Sequence, residues 1–264
     1  MRDLLRKNPL KTAISEKKAV FGIYIEEPSS TIVELAGVSG FHFVRLDWCH
    51  APLDLQALAH QILAAEYRNV TPVVRLECDE QKIGQVLEMG AMGIVVPDVS
   101  NAAEAKRVVD AARFSPQGRR GLFSASRKAS FGSVEAGAFT KWSNEEILVG
   151  IQIESLEAME NIEEILSVEG IDIVLSGRGD LSNALGVPGE KTHPLVLDAE
   201  KKIFGNALAK GLAVSPQLDP YAADFQDDLK KWIERGAYVI SLGIDHAIIR
   251  KAFEGIVKKA VIAS

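Results

Sequence analysis

Short apolar runs alternate with amphipathic stretches along almost the whole chain, and few folds accommodate such an alternation. The runs are rich in valine and isoleucine, and several are apolar at nearly every position, as in parallel strands covered on both faces. Eight strand candidates follow from this pattern: Val20–Ile25, Phe43–Leu46, Thr71–Leu76, Gly93–Val96, Leu148–Ile153, Ile171–Leu175, Leu212–Pro216 and Tyr238–Leu242. A regular alternation of strands with helices predicts an α/β fold built on a parallel sheet.

The length of the chain favours a closed sheet over an open one. Eight strand–helix units within 264 residues are typical of a (β/α)8 or TIM barrel, with a doubly wound open sheet as the alternative. No change of composition marks a linker, so we expect a single domain over residues 1–264, with a short N-terminal helix. The last element is predicted to be an apolar helix over Asp245–Ala263.

The composition argues against several classes of partner. The formal net charge of -6 disfavours nucleic-acid binding, which needs a basic face. No apolar run approaches the roughly 20 residues of a membrane helix, and the N-terminus lacks the apolar core of a secretory signal. Cys49 and Cys78 have no CxxC spacing, so we expect reduced thiols in a cytoplasmic protein.

Ionisable residues collect where the predicted strands end. Barrel enzymes carry their chemistry at the C-terminal ends of the strands. Several strands here end in such residues or are followed by them: Asp47 with His50, then Arg75, Asp98, Glu154 and Asp180. Their shared position predicts an active site above the barrel.

Glu154 and Asp180 end successive strands, so their carboxylates can converge on one point. Two carboxylates without a nearby histidine or cysteine ligand suit a hard divalent cation such as Mg²⁺ or Mn²⁺, although Co²⁺ and Zn²⁺ also accept oxygen ligands. The alternative is structural: Glu154 would cap the helix that begins near Leu156, and Asp180 would cap the turn that follows it. Spacing alone leaves both interpretations open.

Arg75 and His50 have comparable alternatives. An arginine that ends a buried strand needs an anion, either a carboxylate such as Asp47 or Glu154, or a substrate carboxylate or enolate oxygen. His50 lies three residues after Asp47, and a carboxylate that orients an imidazole makes an acid or base suited to neutral pH. The plainer interpretation of His50 is a histidine satisfied by a backbone carbonyl.

These segments together resemble the HpcH/HpaI aldolase family of metal-dependent pyruvate aldolases, which is similar to the citrate lyase β subunit. The matching segments run through almost the whole chain: FHFVRLDWCHAP (41–52), TPVVRL (71–76), GAMGIVVPDVSNAAEAKRVVDAARFSPQGRRG (90–121), VGIQIESLEAMENIEEILSVEGIDIVLSGRGDLSNALG (149–186) and GAYVISLGIDHAII (236–249). The block over 90–121 and the QIE and DLS pair are specific to the family.

The resemblance implies a role for each residue at the strand ends. It implies that Glu154 and Asp180 bind the metal and that Arg75 steadies the pyruvate enolate. It implies that His50 and Asp47 form an acid–base dyad. A barrel of the phosphoenolpyruvate/pyruvate-domain type would carry these residues.

The resemblance also implies a reaction and an assembly. The reaction is that of a class II aldehyde-lyase, which splits a 4-hydroxy-2-oxo acid reversibly into pyruvate, or a related 2-oxo acid, and an aldehyde. No lysine stands at a predicted strand end, which disfavours a Schiff-base aldolase. The implied assembly is a homo-oligomer, either a trimer or a hexamer built as a trimer of dimers, and the apolar C-terminal helix is compatible with exchange between subunits.

Two residues depart from the family pattern near the predicted pocket. The backbone amides of the segment flanked by Gly177 and Gly179 are implied to meet the substrate carboxylate, and Arg178 stands between them where the family has proline. Cys49 stands where the family has glutamate. A lost carboxylate and a gained guanidinium make the pocket more positive, so we expect a more anionic substrate that Arg178 contacts. The alternative is that Arg178 meets a neighbouring subunit or Glu154.

These departures leave two other functions open. One is a Claisen-type enzyme that condenses or splits a citrate-like acid. The other is a barrel that binds a metabolite without catalysis, although the joint presence of Glu154, Asp180, Arg75 and His50 argues against it.

Overall fold

All eight apolar runs form strands in the computed structural model, which describes residues 5–262. The strands are β1 (Val20–Ile25), β2 (Phe43–Asp47), β3 (Thr71–Arg75), β4 (Gly93–Val96), β5 (Leu148–Ile153), β6 (Ile173–Ser176), β7 (Ala213–Val214), β8 (Gln217–Leu218) and β9 (Val239–Ile244). The helices are α1 (Pro9–Ser15), α2 (Ser30–Val38), α3 (Leu55–Tyr67), α4 (Glu80–Met89), α5 (Ala102–Ala112), α6 (Ala136–Glu146), α7 (Leu156–Glu160), α8 (Ile162–Ile165), α9 (Arg178–Ala184), α10 (Pro194–Ala209), α11 (Phe225–Glu234) and α12 (Asp245–Ile262). The predicted end of the last helix, Ala263, lies outside the described residues.

The strands pair in parallel and close into a barrel. Pairing runs in sequence order from β1 to β7, and β9 joins β1 on one side and β8 on the other. Strands β7 and β8 stand at the two ends of this order, yet only Ser215 and Pro216 separate them in the chain. One stretch of backbone therefore completes the ring, and the predicted (β/α)8 barrel is confirmed.

The seventh barrel position is where the structure differs from the predicted strands. The sequence predicts one strand over Leu212–Pro216, whereas two two-residue strands flank Ser215 and Pro216. Ser215 donates its N–H to the Val174 carbonyl at 3.0 Å, and the Pro216 carbonyl accepts from Ser241 at 3.0 Å. Because proline has no N–H to continue a ladder, the strand breaks where the segment leaves β6 and joins β9.

Two apolar layers hold the barrel together. The larger layer lies between the sheet and the surrounding helices. The smaller layer fills the inside of the barrel with side chains such as Phe43, Val73 and Val239. Helix α1, the predicted N-terminal helix, packs Leu10 and Ala13 against this inner layer. The packed lower half leaves the C-terminal ends of the strands as the place where a cavity can open.

Aspartate side chains cap the starts of two helices that follow strands. Asp54 accepts the N–H of Ala57 at 2.7 Å at the start of α3, and Asp79 accepts the N–H of Lys82 at 2.8 Å at the start of α4. Gly90 ends α4 with a φ of 121°, a conformation that residues with a Cβ rarely adopt. These local signals determine where α3 and α4 begin and where α4 ends.

Two further findings bear on the predicted surroundings of the protein. Between residues 5 and 262, no helix has both the length and the apolar character that crossing a bilayer requires. Cys49 and Cys78 are unpaired and half-buried.

Candidate active site and metal centre

A cavity of about 460 Å³ opens at the C-terminal end of the barrel. The ends of β1, β3 and β5, the loop after β6 and the start of α12 form its wall. The predicted site residues that line it are His50, Arg75, Gly177, Arg178, Gly179 and Asp180. Glu154 and Asp47 are buried, at the C-terminal ends of β5 and β2. The structure therefore brings most of the predicted residues to one cavity.

Glu154 lies behind Gly177 and is only 4% exposed. Its Oε1 accepts the backbone N–H of Asp98 at 3.1 Å, and its Oε2 accepts a hydrogen bond from the amide of Gln152. A Cβ on Gly177 would collide with the Glu154 carboxylate and with Gln152, so the backbone can pass here only as glycine. Ser155, and not Glu154, caps the helix that follows. The structural alternative for Glu154 is therefore wrong.

Asp180 lies close enough to Glu154 for the two carboxylates to influence each other. Burial is the main reason that the pKa of Glu154 rises to about 7; the Gln152 hydrogen bond lowers the pKa, and the charges of Asp180 and Asp98 raise it again. Asp180 itself is in the first turn of α9, and Gly177 holds the capping position there. Within residues 5–262, no lysine or arginine forms a salt bridge with either carboxylate of the pair.

This pair fits a divalent cation. One carboxylate, that of Glu154, is buried, and burial, with a further contribution from its acidic neighbours, raises its pKa. The second carboxylate is exposed on the cavity wall. Oxygen donors of this kind suit Mg²⁺ or Mn²⁺, and a bound cation would remove the repulsion between them. Glu154 and Asp180 could therefore hold a metal at this cavity, as could a second group at its rim, formed by Glu26, Asp245 and His246.

Asp47 and Arg75 face each other on β2 and β3. The strand register places them opposite each other. The guanidinium spans the carboxylate, with 2.5 Å between Nη2 and Oδ2 and 3.2 Å between Nε and Oδ1. Burial lowers the pKa of Arg75, but the hydrogen bond to Asp47 and the neighbouring Tyr24 outweigh it, so the pKa is raised overall. Arg75 is a permanently charged group that is fixed at the cavity wall.

The predicted dyad of His50 and Asp47 has a different geometry in the structure. Asp47 accepts the backbone N–H groups of Cys49 at 2.9 Å and of His50 at 3.3 Å, and its oxygens also bind Arg75. The imidazole of His50 is exposed at the cavity, and its hydrogen bond with Asp47 is through the backbone. Asp47 therefore positions the His50 loop without orienting the ring, because the buried guanidinium occupies the carboxylate.

Arg178 is held by Glu200, a partner that no local sequence pattern indicates. Its Nε lies 2.9 Å from Oε1 and its Nη2 lies 2.5 Å from Oε2 of that carboxylate. The hydroxyl of Ser176 donates to the same Oε1 at 2.6 Å, and Glu200 is only 2% exposed on α10. The charge of Arg178 is therefore offset by an ion pair with Glu200. A more anionic substrate that Arg178 contacts stays a prediction, and the guanidinium Nε and Nη2 are held by Glu200 in this structure.

Several other residues shape the cavity without having been predicted. Gln152 precedes Glu154 by two positions on β5, so both side chains point to the same face of the strand. Tyr24 lines the cavity from β1. Arg45 is buried within the barrel on β2, beneath Tyr24. The period-two alternation of a strand could have identified Gln152 and Tyr24, whereas no local pattern links Glu200 to Arg178.

Comparisons with known proteins agree with this arrangement. A family model described as HpcH/HpaI aldolase/citrate lyase matches residues 20–252. A 2-keto-3-deoxy-L-rhamnonate aldolase from Salmonella gallinarum is 34% identical over 253 residues, which cover 95% of this chain and 92% of the relative. The enzyme of the same name from Klebsiella pneumoniae subsp. pneumoniae is also 34% identical, with the same coverage.

Solved structures show the same architecture. Citrate synthase SbnG superposes with a TM-score of 0.85 and 30% identity, over 96% of this chain and 98% of that one. The HpcH/HpaI aldolase from Desulfitobacterium hafniense DCB-2 superposes with a TM-score of 0.86 and 28% identity, over 94% and 95% of the two chains. Both a lyase and a synthase thus share the barrel described here.

Proposed function

Because this chain belongs to the HpcH/HpaI aldolase/citrate lyase family, we propose that it is an aldehyde-lyase that acts on a 4-hydroxy-2-oxo acid. The reaction is reversible aldol cleavage to pyruvate, or a related 2-oxo acid, and an aldehyde. The observation that carries the proposal is the pair of neighbouring carboxylates, Glu154 and Asp180, beside the cavity that the charged Arg75 lines. The similarity to the rhamnonate aldolases favours 2-keto-3-deoxy sugar acids as the substrate class.

Glu154 and Asp180 would hold the divalent cation, with Mg²⁺ or Mn²⁺ the first choice for an all-oxygen site. When bound, such a cation supplies Lewis-acid polarisation of the 2-oxo group. The Gln152 amide and the Asp98 N–H fix the orientation of the Glu154 carboxylate. These contacts fix the Glu154 carboxylate in position before any substrate enters the cavity.

Arg75 and the backbone of the segment Gly177–Gly179 would bind the 2-oxo acid. The planar guanidinium is already fixed by Asp47, so little further ordering is needed to hold an enolate oxygen. Gly177 lets the backbone approach the Glu154 carboxylate closely, and backbone amides of this segment can meet the substrate carboxylate. Arg178 keeps this segment attached to α10 through Glu200.

His50 would transfer the proton that the aldehyde half needs. Its imidazole stands exposed at the cavity, where it can give a proton to the new alkoxide or take one in cleavage, directly or through water. Asp47 holds the loop that carries His50, so the two residues act together even though the ring is not hydrogen-bonded to the carboxylate.

A Claisen-type reaction is the second candidate, and a specific observation favours it. Citrate synthase SbnG shares the fold at 30% identity, so the same barrel accommodates condensation to citrate. The two functions differ in their products. Release of an aldehyde supports the aldolase, whereas turnover of oxaloacetate or an acyl thioester supports the synthase.

We also propose that the protein is a cytoplasmic homo-oligomer of one-domain subunits, a trimer or a trimer of dimers. Helix α12 carries large apolar side chains that are mostly exposed, namely Phe253, Ile256 and Val257. Exposed apolar area of this kind on one helix face is typical of a surface that another subunit covers. The two unpaired cysteines suit a reducing compartment.

The decisive experiment is the exchange of pyruvate methyl protons for deuterium, followed by NMR. Exchange needs enolate formation but no aldehyde, so it isolates the chemistry assigned to the carboxylate pair and Arg75. We expect exchange that stops with a chelator, returns with Mg²⁺ or Mn²⁺, and is lost in Arg75→Ala. A panel of aldehydes with purified protein then identifies the second product. The absence of exchange under all metals would contradict the proposal.

A further inference from the structure

Arg45 is a charged residue inside the barrel that the proposed reaction leaves without a role. It interrupts the apolar strand β2 and is only 2% exposed. Its side chain points inward, because it stands two positions after Phe43, which fills the inside of the barrel. Packing alone does not explain an arginine here, since the interior of such a barrel is filled mainly by branched apolar side chains.

The guanidinium of Arg45 has neutral partners. Its Nη1 donates to the hydroxyl of Ser241 at 3.0 Å, and its Nη2 donates to the hydroxyl of Ser215 at 3.1 Å. Its Cζ lies 4.8 Å from the centroid of the Tyr24 ring, and its Nε is buried without a hydrogen-bond partner. Among residues 5–262, no carboxylate forms an ion pair with it. The protein therefore solvates this cation in part but does not neutralise it.

Two other guanidinium groups, both at the cavity, are neutralised. Arg75 forms an ion pair with Asp47, and Arg178 forms one with Glu200. Each pair has no net charge, so its field falls off quickly with distance. The charge of Arg45 is not cancelled in this way and remains in excess beneath the cavity.

Arg45 lies close enough to the cavity to act on an anion that binds there. The Tyr24 ring lines the cavity, and its centroid is 5.6 Å from the Cζ of Arg75. The contacts of the two arginines with this ring place their guanidinium groups within about 10 Å of each other. Because Arg45 is almost completely buried, water screens its field little. Lys191, which lines the same cavity, is exposed and more strongly screened.

The cost of such a residue indicates a function. A buried charge without a partner destabilises a fold, and an apolar side chain of similar size is often more stable in its place. Local features that lower stability are expected at functional sites. The proposed reaction gives this charge a use. Pyruvate binds as a monoanion, and its enolate carries one further negative charge once a methyl proton has been removed.

We propose that Arg45 is a positioning residue that supplies, from beneath the cavity, an uncompensated positive charge for the anionic reactant. Its field strengthens binding of the 2-oxo acid and strengthens binding of the enolate still more. It does so without touching the substrate, whereas Arg75 makes the direct contact. This inference rests on the proposed function and assigns the excess charge of the 2-oxo acid side to a residue inside the barrel.

The test compares the wild type with Arg45→Met and Arg45→Gln, two neutral substitutions of different shape and polarity. Titration calorimetry with excess Mg²⁺ measures the affinities for oxamate and oxalate, which are planar and similar in size but carry one and two negative charges at neutral pH. We expect oxamate to bind roughly five- to tenfold more weakly to both variants, and oxalate to lose the square of that factor, roughly 25- to 100-fold.

Arg120→Met is the matched control. Arg120 is also buried, at 8% exposure, and its Nε and Nη2 also lack hydrogen-bond partners. It lines a different cavity, on the outside of the barrel beside α4 and α5. Both affinities should therefore stay at the wild-type values in this variant.

Proton exchange of pyruvate gives a second measurement. In Arg45→Met and Arg45→Gln, KM for pyruvate should rise roughly five- to tenfold and kcat should fall by a similar factor, because the enolate carries one charge more than pyruvate.

The outcomes separate this inference from the function on which it rests. Equal losses for oxamate and oxalate, no loss for either, or different loss ratios in the two neutral variants would overturn the inference. The aldolase function would still stand in those cases, because the wild type would exchange protons. A wild-type protein that exchanges no pyruvate protons with any metal would overturn the proposed function, and this inference with it.

Discussion

Replacing Glu154 with glutamine should remove a large pH dependence from the stability of the metal-free protein. The pKa of Glu154 is raised from 4.5 to about 7, mainly by burial. The folded state therefore keeps a proton that the unfolded state releases between these two pH values. Stability from this group is complete below the unfolded pKa and is lost as the pH rises toward the folded pKa.

The expected magnitude follows from the size of the shift. Each pKa unit corresponds to about 1.4 kcal/mol, so ionising this buried carboxyl destabilises the fold by about 2–3 kcal/mol between pH 5 and pH 8. Glutamine cannot ionise, so the variant lacks this loss. It also has one oxygen instead of two, so one of the hydrogen bonds from Asp98 or Gln152 is weakened, at a cost of about 1 kcal/mol at either pH. Because this cost is the same at both pH values, it does not affect the change in the free energy of unfolding between them.

Urea unfolding of both proteins in the presence of a chelator, at one protein concentration, measures this difference. The free energy of unfolding of the wild type should fall between pH 5 and pH 8 by about 2–3 kcal/mol more than that of Glu154→Gln. Adding Mg²⁺ or Mn²⁺ at pH 8 should stabilise the wild type and leave the variant unchanged. Parallel pH profiles of the two proteins would refute the electrostatic argument, and equal stabilisation by metal would refute the assignment of Glu154 as a ligand.

Two further predictions concern the backbone and the assembly. Gly177→Ala should lower the rate of pyruvate proton exchange by more than about tenfold, because its Cβ collides with the Glu154 carboxylate; Gly205→Ala, where the Cβ meets open space, should leave the rate unchanged. Phe253→Glu should reduce the oligomer mass measured by light scattering, because a charge on the exposed apolar face of α12 opposes association. Lys259→Glu, at an exposed position of the same helix outside the groove that Phe253 lines, should have a smaller effect.

The fold could be predicted closely because its determinants are local. Strands such as Val20–Ile25 and Gly93–Val96 have the predicted bounds. Each is a short run of apolar residues with polar residues near its ends, so the sequence itself shows where the strand begins and ends. The exception is the segment around Pro216, where pairing changes from one neighbouring strand to another. That change depends on where the barrel closes, which is a property of the whole ring and not of the segment.

The candidate site was predictable only in part, for a similar reason. The strand-end position is readable from sequence and located Glu154, Asp180 and Arg75 at one cavity. The ion pairs, in contrast, form between residues that lie far apart in the sequence, so no local pattern shows which charged groups pair. Asp47 is opposite Arg75 through strand register, so the carboxylate expected to orient His50 is already occupied.

The pair of Arg178 and Glu200 determines whether the altered family motif changes the substrate. Both side chains are largely buried, so removing either one alone leaves an uncompensated charge beside the cavity and should destabilise the protein by about 3–5 kcal/mol. The double variant Arg178→Pro, Glu200→Gln removes both charges together and should be less destabilised than either single variant.

The double variant also distinguishes an effect of the net charge of the cavity from direct contact between Arg178 and the substrate. Because the net charge of the cavity is unchanged in it, we expect the ratio of kcat/KM for glyoxylate, an anionic acceptor, to that for neutral acetaldehyde to stay within about twofold of the wild-type ratio. The single variant Arg178→Pro should lower this ratio, since the unpaired Glu200 repels anions. A selective loss of glyoxylate turnover in the double variant would instead mean that the Arg178 guanidinium itself binds the substrate, as the sequence first suggested. The structure predicts the opposite, because Nε and Nη2 of Arg178 are already committed to Glu200.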